Sequence, residues 1–400
     1  MQIDLARLNF FITQYARYSS NSTDRENDTY WQVFAEDICE ALTKRNQQAI
    51  AASVNISLGR YLFDTILQTN CFPKSILTFN FIPKLTFKQT NFLDSAKSPV
   101  VGILLDHPVH IIQDVISSYK NYKEFFYGVM ADSHKVFLIN AGIRPEQIFT
   151  LPHGGPPLKT DAPRLKERTI DISFFGRIED MPTLKKYAAT TGITDPEQIN
   201  GLKELENSLL NLEGDLYQLC KNYLKKYGLA DNISVMQRYR FARELDARVR
   251  SKRRMKLFGK LAKLKVNFYG TFSEKFKRAN KQGIFHEPVS FRNAQQIIQN
   301  SKIFLSDNIL DEAVITRPFY GMANQSLVAS QYNSVLSEKF SPAHHMLDLD
   351  AENIVTQITE NLNDIEAAQK RVNQTSTVYQ KNFTFDTTIT ALNDFINTLQ

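Results

Sequence analysis

The feature that most constrains this chain is a change of hydrophobic period near residue 75. From there, apolar residues gather in short runs: SILTFNFI (75–82), VVGILL (100–105), FFYGVMA (125–131) and QIFTLP (147–152). Polar, glycine or proline residues bound each run, and amphipathic stretches such as 109–121 and 133–141 lie between them. Apolar runs this short read as buried strands, and the stretches between them as helices covering a parallel sheet. The alternation restarts with TIDISFFG (169–176) and continues through VNFYGTF (266–272), KIFLSD (302–307) and SLVAS (326–330). The expected class is α/β.

Between the two series lies LPHGGPPLKTDAPRLKERT (151–169), whose paired glycines, paired prolines and charged run read as a linker. The expected organisation is a helical region over 1–74, a first α/β unit over 75–155, a linker over 156–169 and a second unit over 170–384. The second unit carries a helical insert at 181–264. Phe10, Phe11, Tyr15 and Tyr18 recur at roughly helical spacing, which supports the first assignment. A closing helix pair is expected at 351–371 and 385–399, the second within a C-terminal region 385–400.

A length of 400 residues suits two domains, and 42% hydrophobic with 22% charged residues is ordinary globular composition. The three cysteines, Cys39, Cys71 and Cys220, form no CxxC pair, so neither a disulfide framework nor a zinc site is indicated. No apolar run is long enough to span a membrane, and the first residues lack the pattern of a signal peptide. A cytoplasmic protein is expected.

In open parallel sheets, ligands bind at the carboxyl ends of strands, so residues just after the runs are the candidates. Asp106 and His107 follow VVGILL; either can deprotonate an acceptor hydroxyl as general base, or simply cap the loop. Asp132 follows FFYGVMA as an acceptor-side residue or a helix N-cap. His153 and Gly154 open a turn that admits a ligand or acts as a hinge. In FFGRIED, Gly176 and Arg177 read as a phosphate-approach turn, and Tyr269-Gly270 as a similar one. The segment 306–330 holds Asp307, Asn308, Asp311 and Glu312, then Arg317, then a small-residue helix start near Gly321. A helix N-terminus with an arginine beside it offers free N–H groups and positive charge to a diphosphate, or is only a capped, solvated helix. The stretch 238–256 carries nine Lys/Arg against Glu244 and Asp246, with apolar residues interleaved. It reads as a solvated helical face, or as a surface for an anionic membrane, an acidic acceptor or nucleic acid.

Taken in order, ILLDHP (103–108), MADSHKVFLINAGI (130–143), IFTLPHGG (148–155), DISFFGR (171–177), NFYGTF (267–272) and RPFYGMANQSLVAS (317–330) resemble the CgeB-like bacterial glycosyltransferases. These have a C-terminal domain of the glycosyl transferases group 1 type. LDLDAENIVTQITENLND (347–364) and YQKNFTFDTTITALNDFI (379–396) extend the resemblance, which covers roughly 75–400. It implies a GT-B fold, with two Rossmann-like domains whose parallel sheets face across a cleft, acceptor on the first and nucleoside diphosphate sugar on the second. It implies no bound cofactor or metal. Arg317 stands where the family's arginine contacts donor phosphate. Glu312 fits the first of two glutamates, while Tyr320 stands at the second, which in relatives often holds the ribose. His286 is placed over the donor, and Asn308, Asn324 and Ser326 complete the implied donor set. The expected activity is glycosyl transfer to a glycan, lipid-linked or protein acceptor, with a peripheral membrane location through 238–256 as an option. Nucleic acid is not expected as a partner. The alternatives are a nucleotide-sugar epimerase and a degenerate binding module.

Overall fold

The structure, a computed structural model, describes residues 8–399 apart from 15–29, 54–60, 62–64, 67, 80–85, 88–89, 92–96, 114–121, 212 and 309–312. The chain forms two compact units. The first comprises Met1–Pro157, Ser290–Asn293 and Lys381–Gln400; the second comprises Leu158–Val289 and Ala294–Gln380.

The strands are β1 (Phe10–Gln14), β2 (Ala49–Ser53), β3 (Ser75–Phe79), β4 (Thr86–Phe87), β5 (Thr90–Asn91), β6 (Val100–Ile103), β7 (Phe125–Val129), β8 (Ile148–Thr150), β9 (Ile170–Ile178), β10 (Asn267–Phe272), β11 (Ile284–His286), β12 (Ser301–Ser306), β13 (Leu327–Ser330) and β14 (Leu347–Asp348). The first unit holds a six-stranded sheet in the order β2-β1-β3-β6-β7-β8, and the second a six-stranded sheet in the order β11-β10-β9-β12-β13-β14. Every pairing in both is parallel. The two short strands β4 and β5 pair antiparallel to each other.

The N-terminal region is not helical throughout. β1 lies between β2 and β3, and among the described residues between β1 and β2 the long helix is Tyr30–Lys44. A strand buried on both faces carries no period of two, so Phe10, Phe11 and Ile12 imitate a helix stripe in sequence. β2 reads AIAAS, and alanine is a poor advertisement for a strand.

In the first unit, Phe34, Ile38 and Leu42 form one face of the helix Tyr30–Lys44 and enter the core with β1, β3 and β6. The helix Phe385–Asn397 completes that core through Phe385, Ile389, Leu392 and Ile396, at spacings of one helical face. Phe395 stacks on Phe149 with ring centroids 3.8 Å apart. The last helix is therefore part of the first unit. It follows two others, Ile354–Asn363 and Ile365–Asn382, where a single helix was expected. Asp364 interrupts them, its carboxylate accepting from the Ala367 amide at 3.0 Å.

The second unit's core is rich in phenylalanine: Phe174 of β9, Phe268 and Phe272 of β10, Phe258 and Phe276. Its insert consists of the helices Leu184–Thr190, Pro196–Leu210, Leu216–Lys226 and Val235–Lys260. Thr183, Asp195, Asp215 and Ser234 each cap one, accepting from an amide in its first turn.

Candidate functional site

The second sheet has the order in which a doubly wound fold switches direction. The chain runs from β9 outward to β10 and β11, then returns to β12 on β9's other side. The crevice such a switch opens lies at the carboxyl ends of β9 and β12. Asp307 follows β12 directly and is fully buried. Its Oδ2 accepts from Arg254 Nε at 2.7 Å and its Oδ1 from Arg317 Nη1 at 2.5 Å. Arg254 Nη1 also donates to the Arg177 carbonyl at 2.9 Å, so one side chain joins the ends of both strands. Burial alone would raise the Asp307 carboxyl; the Arg254 and Arg317 guanidiniums overcome this and hold it at about 2. The carboxylate is thus ionised at neutral pH and is held between two guanidiniums. Arg317 lies in the first turn of the helix Thr316–Ala323, whose N-cap, Ile315, makes no side-chain capping bond. The amides of that turn add partial positive charge.

Around this cluster, Ser306 Oγ, both amide atoms of Asn308, Ser330 Oγ and Gln331 Oε1 are buried without hydrogen-bond partners. Ser306 and Ser330 are register partners on β12 and β13. Each such orphan costs about 1–3 kcal/mol unless water or a ligand satisfies it. Two guanidiniums ringed by unspent neutral donors and acceptors are suited to an anion bearing several oxygens.

The other residues anticipated for the donor are distributed differently. Gly176 and Arg177 lie inside β9, not in a turn after it, paired with Gly270 and Thr271 of β10. Gly270 has φ +136°, and a Cβ there would stand 1.9 Å from the Gly176 carbonyl oxygen, so contact between strands explains this glycine. The Arg177 guanidinium is exposed and pairs with Glu179; its carbonyl is what reaches the site. Tyr269 stacks on Phe175 at 4.9 Å and on His286 at 4.3 Å, forming a half-buried ladder across β9, β10 and β11. His286 Nε2 is 3.0 Å from Asn267 Oδ1.

Tyr320 is 1% exposed and belongs to the core rather than presenting a hydroxyl to a ribose. Gly321 is needed because a Cβ would meet Phe304 at 2.5 Å and Val328 at 2.7 Å. Asn324 and Ser326 are engaged elsewhere: the buried Arg168 donates to the Asn324 carbonyl at 3.1 Å and to Ser326 Oγ at 2.9 Å. They follow the C-terminus of the Thr316–Ala323 helix and precede β13, about 12 Å of helix away from Arg317. Glu312, with Asp311, lies outside the described residues.

In the first unit, Asp106 and His107 follow β6. His107 is buried, with its ring edge-on to His134 at 4.8 Å and to Phe137 at 5.1 Å. Its Nδ1 accepts from the Val109 amide at 3.1 Å. That bond selects the tautomer with its hydrogen on Nε2. Asp106, half-buried, is the carboxylate of the pair. Asp132 is the first residue of the helix Asp132–Asn140, not its cap, which is Ala131; its Oδ1 accepts from Thr150 Oγ1 at 3.2 Å. Both ring nitrogens of His153 are buried without partners, and burial lowers its pKa to about 3. Gly154 is bare because the Thr384 carbonyl oxygen lies 2.2 Å from where its Cβ would be. The Gly155 amide donates to the Phe383 carbonyl and the Gly155 carbonyl accepts from the Phe385 amide, both at 2.8 Å, around the same crossing.

The basic stretch 238–256 lies within the helix Val235–Lys260 and is largely occupied within its own unit. Arg240 pairs with Glu244, Arg250 with Asp246, and Arg248 and Lys252 with the buried Glu206. Arg238 and Arg253 donate to backbone carbonyls of Ala230 and Leu209, and Arg254 serves Asp307. The reading as a solvated or membrane-facing surface missed Arg254 as a site residue. The one signal was Asp307, an aspartate directly after an apolar run. Among the described residues no helix is long and apolar enough to cross a membrane, and no group of three or more His, Cys, Asp or Glu could hold a metal ion.

No family model and no curated protein matches the sequence. Among solved structures, an α-glucosyltransferase in complex with UDP and a 13-mer DNA containing a HMU base aligns over 98% of this chain and 100% of its own, at 10% identity and TM-score 0.55. HepE of Anabaena, in complex with UDP and glucose, aligns over 98% and 99% at 9% identity and TM-score 0.48. A glycosyltransferase of Rickettsia africae aligns over 98% and 99% at 10% identity and TM-score 0.48. The fold is α/β of the GT-B class, with two Rossmann-like parallel sheets.

Proposed function

We propose that this chain transfers a glycosyl unit from a nucleoside diphosphate sugar to a hydroxyl acceptor. One observation carries the reading: the Arg254–Asp307–Arg317 cluster at the switch point of the second sheet, with unpartnered buried polar atoms around it. In this reading Arg317 and the first amides of its helix hold the diphosphate, and Asp307 fixes both guanidiniums in place. The bond between the sugar C1 and the diphosphate oxygen breaks, the acceptor oxygen bonds to C1, and the nucleoside diphosphate leaves with the electron pair. The acceptor's proton goes to a carboxylate, for which Asp106 is the candidate. His107, donating through Nε2, orients a hydroxyl. UDP is the first nucleotide to try, since the glucosyltransferase of like fold was solved with it.

The test is a thermal-shift series with UDP, GDP, TDP, ADP and CMP. One diphosphate should stabilise the protein, by about 2.7 kcal/mol at a hundredfold excess over its Kd. No shift with any of them contradicts the reading. A second reading, donor binding without transfer, draws on Tyr320: it stands where the resembled enzymes often hold the ribose, and it is buried. Stoichiometric binding of a nucleotide sugar that is never hydrolysed or transferred separates the two.

A further inference from the structure

The helical insert encloses a feature the donor reading does not use. A pocket of about 580 Å³ lies between the loop after β9 and four helices, Leu184–Thr190, Pro196–Leu210, Val235–Lys260 and Glu274–Ala279. Its charged lining is Lys203, Arg248, Lys252 and Lys275 against Asp180 and Glu206. Four positive and two negative charges leave +2. Glu206, 2% exposed, is held by Arg248 and Lys252, each at 2.5 Å. Asp180 accepts from Ser273 Oγ at 2.8 Å. That leaves Lys203 and Lys275, on two different helices, with no ion-pair partner among the described residues. Met181, Leu184 and Met255 give the pocket an apolar side.

We propose that this pocket binds a phosphorylated sugar, separately from the donor site. Two lysines without counter-ions at a concave, partly enclosed surface hold a phosphate better than any neutral group. The volume is within the range of small-molecule sites and exceeds what a free phosphate fills, and the apolar side suits the C–H face of a sugar ring. Arg248, Lys252 and Met255 share one face of their helix; Arg254, which serves Asp307, is about 200° around it from Lys252. The two anion sites are therefore carried on different faces of one helix, and neither requires the other.

Isothermal titration of the full chain with glucose 6-phosphate, glucose and inorganic phosphate tests this. Saturable binding of glucose 6-phosphate is expected, with none of glucose, and persisting at saturating UDP. The double variant Lys203→Gln/Lys275→Gln, whose side chains are exposed, should keep its melting temperature and weaken that binding at least about tenfold. Absence of glucose 6-phosphate binding, or equal affinity in the double variant, overturns the proposal. Equal affinity for inorganic phosphate overturns its sugar component, and displacement by UDP overturns its separateness. Binding of glucose 6-phosphate by a protein that ignores every nucleoside diphosphate leaves this inference standing and removes the donor reading.

Discussion

The two units share one architecture and differ in the chemistry at their strand ends. At the first sheet's carboxyl edge the prominent groups are a half-buried carboxylate, Asp106, and a buried imidazole, His107, with His153 just after β8. Burial keeps His153 neutral down to a pH of about 3. At the second, two guanidiniums surround one ionised aspartate at a topological switch. Parallel sheets supply the same crevice in both cases; the charge of the side chains that fill it decides what it can hold. An edge with a carboxylate and an imidazole suits a hydroxyl compound, and one with two guanidiniums suits a diphosphate.

The sharpest way to break this contrast is Asp307→Ala. It leaves two guanidiniums facing each other in a buried site and should cost about 3–5 kcal/mol, read as a shift in urea midpoint. The matching change Asp106→Ala in the first unit should cost less, about 1 kcal/mol. Equal costs would erase the distinction between the edges. His153 predicts the next effect. Its folded pKa, about 3, lies below the ordinary 6.5, so the unfolded chain binds a proton that the folded one refuses. Stability should be complete above pH 6.5 and fall by a few kcal/mol as the pH drops toward 3. Asp307 adds its own loss between 3.8 and about 2. His153→Phe should flatten the upper window alone in a series of thermal melts; an unchanged profile would mean the ring takes up a proton in place. Arg317→Ala should weaken nucleoside diphosphate binding at least about tenfold, or roughly 1.5–3 kcal/mol, without a comparable loss in stability. Smallest of all, Arg240→Gln, at an exposed pair with Glu244, should leave the urea midpoint unchanged.

The alternation of strands and helices from residue 75 was plain in the sequence, because each core strand is a short apolar run with a polar boundary: β3, β6, β7, β9 and β12 all fall on such runs. β1 and β2 were not, since a doubly buried FFI and an alanine-rich AIAAS lack any period that marks a strand. Arg317 could be singled out because the site there is local, an arginine opening a helix after a strand. Arg254 could not. Its partner Asp307 is 53 residues away, and in sequence Arg254 is one of nine similar cations. The glycines show the opposite difficulty. Gly154 and Gly270 stand in turns read as open to a ligand and Gly321 in a small-residue helix start, yet each is required by the protein's own atoms at 1.9–2.5 Å from an added Cβ. A bare backbone shows that something approaches closely, and only the fold reveals whether that is substrate or chain.

The most direct measurement is a crystal structure of the protein grown with UDP. Its phosphate oxygens should lie within hydrogen-bonding distance of Arg317 and the first amides of the Thr316–Ala323 helix, with Asp307 still holding Arg254. A crevice filled only by water at saturating nucleotide, or UDP bound away from the ends of β9 and β12, would contradict the account.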